Sequence, residues 1–136
     1  MAWETEKRKL DPERVGQGVA ALLNDPAKGT YFLAEVEHGG RHVIAGQLLI
    51  TYEWSDWRNG NFWWIQSVYV IQKFRAHGIF TALFGYVRDL ASKRDDVCGL
   101  RLYVEGQNKR AQRTYERLGM KRTSYEVFEL DFVLPH

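Results

Sequence analysis

Between Val68 and Phe80 an apolar run, Val68-Tyr69-Val70-Ile71, gives way to Gln72-Lys73-Phe74-Arg75-Ala76-His77, then Gly78, then an amphipathic stretch. A strand feeding a helix through a short basic turn confines the chain to α/β architectures. It also builds a binding feature. The first backbone N–H groups of a helix have no acceptor inside it, and the helix dipole favours negative charge there. A turn of this kind is a ready site for a pyrophosphate.

The rest of the chain agrees with a folded domain. At 136 residues and 45% hydrophobic it can bury a core, and it reads as one domain. The net charge of +2 is too small to imply a nucleic-acid partner. Five Trp and seven Tyr could stack on bases, but most sit inside apolar runs such as Phe62-Trp63-Trp64-Ile65, where packing is the better use. Cys98 is the single cysteine, so no internal disulfide forms, which is consistent with a reducing, cytoplasmic setting. No apolar run reaches membrane-span length, and no membrane partner is expected. His38, His42, His77 and His136 lack metal-ligand spacing, so no metal is expected.

The hydrophobic pattern predicts the elements. Asp11-Pro12-Glu13 starts a helix whose stripe is Val15, Val19, Leu22 and Leu23. Tyr31–Val36 and His42–Trp54 read as strands joined by Gly39-Gly40. A loop carrying Asn59-Gly60 leads to Phe62–Ile71, a run apolar enough for a central strand buried on both faces. Ile79, Leu83, Val87 and Leu90 form the stripe of the next helix. A strand at Leu100–Val104 and a helix from about Asn108 to Gly119 follow. Tyr125–Phe132 alternates as a last strand, with Phe128, Leu130 and Phe132 opposite Val127, Glu129 and Asp131. The whole is an α/β fold with a mixed sheet.

Two motifs carry a resemblance. Arg75 and Gly78 stand at the spacing of Arg/Gln-x-x-Gly-x-Gly/Ala, with Phe80 in the last position. Asn108, Ala111, Tyr115 and Gly119-Met120 follow Asn-x-x-Ala-x-x-x-Tyr-x-x-x-Gly-Phe, with Met for Phe. In both, the chain resembles the GNAT superfamily of N-acetyltransferases, over roughly Thr30 to Phe132. That resemblance implies a mixed, mostly antiparallel sheet flanked by helices. It implies acetyl-CoA as co-substrate, and an amine that attacks the thioester directly while both substrates are bound.

The resemblance also assigns residues. The turn Arg75, Ala76, His77, Gly78, Ile79, Phe80 and Thr81 would hold the CoA pyrophosphate. Backbone groups of Val68, Tyr69 and Val70 would meet the pantetheine amides, and Asn108 the pantetheine arm or an ordered water. Tyr115 would protonate the departing thiolate, a role open to a phenol that is neutral near pH 7. Some relatives carry a Glu base where this chain has Gln66. Gln66 cannot accept a proton at neutral pH, but it can orient a water or the amine. The polar pair Gln66-Ser67 in an apolar strand needs partners if buried.

An ammonium acceptor calls for a carboxylate. Glu4, Glu6, Glu53 and Asp56 are the candidates, with Trp57 as a wall for a cationic or apolar substrate. The acceptor class is a small-molecule amine or a protein lysine. Relative to the superfamily the chain is expected to be N-terminally shortened, lacking the usual first strand and most of the first helix. The open sheet edge that results implies a homodimer. A non-catalytic acyl-CoA-binding protein and an interaction domain are the alternative readings.

Overall fold

A computed structural model describes residues 10–134. Glu4 and Glu6 lie outside the described residues. The chain divides into two compact units, one of residues 16–103, the other of described residues 10–15 with 104–134.

The first unit holds the sheet. Helix α1 (Pro12–Leu23), which begins in the other unit, is followed by strands β1 (Thr30–His38), β2 (Arg41–Ser55) and β3 (Gly60–Val70). A 3-10 turn (Gln72–Phe74), helix α2 (Ile79–Ser92) and strand β4 (Val97–Leu102) complete it. The sheet order is β1-β2-β3-β4. The first three strands pair antiparallel, while β4 runs parallel to β3 through the α2 crossover. This is the mixed, mostly antiparallel sheet expected.

Helix α2 covers one face. Its Leu83, Phe84, Val87 and Ala91 are buried, and the facing positions Ala45, Leu48, Ile50, Trp63 and Ile65 are buried too. Burying each larger aliphatic or phenyl side chain is worth about 1.5–3 kcal/mol, so this layer dominates the unit's stability. Phe32, Trp63 and the α2 residue Tyr86 continue it, with ring centroids 6.1–6.4 Å apart. On the opposite face the Arg101 guanidinium sits 3.6 Å above the Phe62 ring, and Trp64 packs on Tyr103 at 4.4 Å.

Three expectations are corrected. Helix α1 forms where Asp11 and Pro12 predict it, with Asp11 Oδ1 accepting from the Glu13 N–H at 3.0 Å, yet it buries no residue. Val15, Val19 and Leu23 remain exposed. Strand β3 is buried only in its first half; from Gln66 to Val70 it is exposed or half-buried. Its partner β4 ends at Leu102, opposite Ile65, and covers nothing beyond. Finally, Tyr125–Phe132 is not a strand. Alternation alone makes no ladder, and the four-stranded sheet does not include this segment.

The second unit is built around helix α3 (Lys109–Arg117). It begins near Asn108 as predicted, and Asn108 caps it, its Oδ1 accepting from the Ala111 N–H at 3.2 Å. Gly119 follows the helix at φ +97, the left-handed conformation that a glycine adopts without steric cost. Gln112 is buried and ties the helix to the preceding loop. Its Nε2 donates to the carbonyls of Glu105 and Gly106 at 3.2 and 3.0 Å, and its Oε1 accepts from Arg122.

Candidate active site

The site begins where β3 changes character. Leu49 faces Ser67 and Ile50 faces Ile65, so Gln66 is an extra residue with no counterpart on β2. This β-bulge coincides with the end of β3–β4 pairing at Ile65 and Leu102. Among the described residues, β3 pairs beyond that point with β2 alone. Gln66 is exposed, which corrects the view of a buried pair in need of partners. Ser67 is half-buried and accepts from Gln47 Nε2 at 3.4 Å.

Strand geometry then decides which backbone groups face the gap. Ile71 N–H donates to the Ala45 carbonyl at 2.8 Å, and the Tyr69 carbonyl lies against Gly46. Residues 69 and 71 therefore direct their backbone toward β2. Alternation turns the groups of Val68 and Val70 the other way, toward the side that β4 has left. The Val70 carbonyl is taken by Arg75 Nε at 2.9 Å. The Val68 N–H and C=O and the Val70 N–H are the backbone groups on the side away from β2. Tyr69 contributes its ring instead, over which the Arg75 guanidinium sits at 5.4 Å.

The turn itself has the backbone geometry of an anion cradle. Ala76 has φ +67 and Gly78 φ +76, with His77 between them. Left-handed residues alternating with ordinary ones gather successive N–H groups into a concavity suited to phosphate oxygens. Gly78 is the N-cap of α2 and supplies no side-chain cap. A Cβ built on it would meet nothing within 4 Å, so packing does not require the glycine, whereas its φ does. Phe80 is half-buried, its ring 6.0 Å from that of Phe84. Arg75 and His77 are exposed.

The acceptor-side candidates are not gathered there. Asp56 and Trp57 lie in the β2–β3 hairpin loop, and Trp57 is 82% exposed. The 11 residues of β3 separate that loop from the turn; at about 3.3 Å per residue this is on the order of 30 Å. Glu53 stands opposite Phe62, nearer the bulge, with Oε1 accepting from Arg101 at 2.8 Å.

Tyr115 belongs to the other unit. It is half-buried, and burial raises the phenol above its ordinary pKa of 10.0. The hydroxyl is therefore protonated at neutral pH, as a general acid must be. Asn108 spends its oxygen on the α3 cap and keeps its amide N–H groups for other contacts.

Three positions went unread in the sequence. Gln47 stands opposite Tyr69, beyond the bulge, with its Oε1 buried and without a hydrogen-bond partner among the described residues; a polar residue within Ile44–Ile50 was the signal. Gly46 allows β2 to approach β3 closely, since a Cβ there would lie 2.9 Å from the Tyr69 carbonyl. Ala76 adopts a conformation that no sequence rule assigns to alanine.

A bulged strand diverging from its neighbour and leading into an anion-binding helix start describes an acyl-CoA-type fold. The model of the acetyltransferase (GNAT) family matches residues 2–120. The chain belongs to that family, which implies acetyl-CoA as co-substrate and an amine as acceptor. It is 32% identical over 123 residues to a mycothiol acetyltransferase of Corynebacterium aurimucosum. That match takes in 87% of this chain and 38% of the relative, so the chain spans well under half of that protein. A solved structure of a possible acetyltransferase from Clostridium difficile 630 is 43% identical. It covers 97% of this chain and 84% of its own, with a TM-score of 0.84. A ribosomal-protein-alanine N-acetyltransferase from Brucella melitensis shares the fold at 18% identity, covering 85% and 79% with a TM-score of 0.65.

Proposed function

We propose that this protein transfers an acetyl group from acetyl-CoA to a primary amine by direct attack in a ternary complex. The observation that carries this reading is the coincidence of the Gln66 bulge with the end of β3–β4 pairing. It leaves the outward backbone groups of Val68 and Val70 in line with the cradle at Arg75–Thr81.

Acetyl-CoA, when bound, supplies an activated acyl carbon. The chain's part is to hold and orient. The turn amides and Arg75 take the diphosphate, and the Val68 and Val70 groups take pantetheine amides as a missing strand would. Positioning of this kind contributes much of the rate in a two-substrate reaction. The amine nitrogen forms the new amide bond as the carbon–sulfur bond breaks. Tyr115, assigned by its motif, gives its proton to the leaving sulfur. Gln66 accepts a hydrogen bond from the amine or a water and leaves proton removal to another group. The acceptor is a small-molecule amine or a protein lysine, with Glu53, Asp56 and Trp57 as candidate contacts.

A non-catalytic acyl-CoA-binding role is the second reading, favoured by a neutral Gln at the bulge. Calorimetry with acetyl-CoA, followed by a thiol-release assay across amine classes, separates the two. Binding with turnover supports the enzyme, binding without turnover on any amine supports the second reading, and absence of binding overturns both.

A further inference from the structure

The bulge at Gln66 redirects side chains as well as pairing. Ile65 is buried on the face that α2 covers, so the next residue, Gln66, turns to the other face. Val68 stands opposite Leu48, which is buried on the α2 face, so the residue before it, Ser67, also turns to the other face. In a regular strand neighbours alternate. Here the extra residue places two consecutive polar side chains on one face, at the point where β3–β4 pairing ends.

A third polar group reaches them from β2. Gln47 stands opposite Tyr69, and Leu49 opposite Ser67. The Nε2 of Gln47 donates to Ser67 Oγ at 3.4 Å. Its Oε1 is buried and has no hydrogen-bond partner among the described residues. A buried amide oxygen left unpaired lowers stability, so the bond to Ser67 is what Gln47 contributes. The neighbours on this face are apolar or aromatic: Leu49 and Tyr69, with Tyr31 and Leu33 across on β1. Gln47, Gln66 and Ser67 form a polar island among them, inside the unit of residues 16–103.

We propose that Gln66 Oε1 and Ser67 Oγ take the N–H hydrogens of an uncharged primary amine, and that Gln47 is the positioning residue that fixes Ser67. The assignment rests on the acetyltransferase reading above. An amine attacks through its lone pair, which must face the acyl carbon, so its hydrogens need acceptors elsewhere. Gln66 offers an amide oxygen. Ser67 offers the lone pair that Gln47 does not occupy. Consecutive Cα atoms lie about 3.8 Å apart, so the two oxygens can converge on one nitrogen. Both hold the nitrogen, and neither takes its proton.

The chemistry of the island sets what it selects. None of the three side chains carries a charge. They suit the neutral amine, the form with a lone pair to give, whereas an ammonium would find no counter-charge among them. A secondary amine brings one hydrogen fewer and leaves one acceptor unpaired. A site built to pair with an N–H discriminates against the analogue that lacks it. The expected specificity is for primary amines over their N-methyl derivatives.

Steady-state kinetics with acetyl-CoA tests this, each amine that turns over being paired with its N-methyl derivative; benzylamine and butylamine head the panel. In the wild type, kcat/KM for the primary amine should exceed that for its partner by about tenfold or more. Ser67→Ala should lower the primary-amine value by about tenfold, narrow the ratio and leave acetyl-CoA affinity unchanged. Ser67→Thr, which keeps the hydroxyl, should restore both. Gln47→Leu should raise KM for the amine with no fall in Tm, because it removes an unpaired buried oxygen. A merely structural Gln47 would lower Tm and leave the amine KM in place. Equal kcat/KM within the pairs overturns the proposal in the wild type, with no variant needed. Unchanged amine kinetics in Ser67→Ala or Gln47→Leu overturns the role of that residue and leaves the acetyltransferase reading standing. Acetyl-CoA binding without turnover on any amine overturns that reading, and this assignment with it.

Discussion

The Nε of Arg75 donates to the carbonyl of Val70 at 2.9 Å, five residues back along the chain. This bond folds the basic turn onto the end of β3 and fixes the guanidinium beside the Tyr69 ring. On the proposed reading, the charge that would attract phosphate is thereby held to the strand that would receive the pantetheine. Replacing Arg75 with Ala should lower CoA affinity about tenfold, the scale of one charge-assisted hydrogen bond. Arg75→Lys should recover only part of that, since an ammonium lacks the planar fork. Calorimetric titration of both variants checks it, and full recovery by Lys would reduce Arg75 to a point charge.

Gly78→Val should weaken CoA binding at least tenfold. A β-branched residue at φ +76 is strained by an amount in the range of 1–3 kcal/mol, and the turn must distort to relieve it. The surrounding space is open, so the core should survive. Unchanged affinity in a folded Gly78→Val protein would move the phosphates away from this turn.

Gly46→Ala acts differently, through the sheet. Its Cβ would press on the Tyr69 carbonyl at 2.9 Å and on Ile79 at 3.2 Å, forcing β2 and β3 apart. Overpacking of this kind costs about 1–3 kcal/mol. The expected result is a lower melting temperature together with weaker CoA binding, because the strand that yields is the one lining the gap.

Tyr115→Phe should lower kcat by about a hundredfold to ten-thousandfold and leave acetyl-CoA affinity unchanged. The wild-type phenol is held above its ordinary value by burial, so turnover should persist to pH 10 and fall only beyond it. The sign for stability follows. The folded state keeps the proton to higher pH than the unfolded chain, so the contribution is complete below about pH 10 and is lost as pH rises through the folded value. A Phe variant with normal turnover and the same alkaline limb would make Tyr115 a packing residue.

Gln66 is exposed on a bulge. Gln66→Ala should therefore change stability by no more than about 0.5 kcal/mol. The expected loss is in kcat/KM for the amine, with acetyl-CoA affinity intact. An unchanged kcat/KM would separate the bulge from the acceptor.

Local chemistry was legible in the residues themselves. Asp11-Pro12, Asn108 and Gly119 mark helix ends because capping is a matter of a few neighbouring atoms. The Val68–Phe80 run announces a strand, an anion-binding turn and a helix for the same reason. What required the tertiary structure was everything set by a distant partner. Gln66 reads as a buried strand residue until β2 is seen to skip it, since a bulge exists only between two strands. The divergence of β3 depends on where β4 stops. Tyr125–Phe132 has a strand's alternation, and α1 has a helix's stripe, but alternation and stripe specify a face, not what covers it. Burial is a property of the neighbour supplied from elsewhere, and no local pattern names that neighbour.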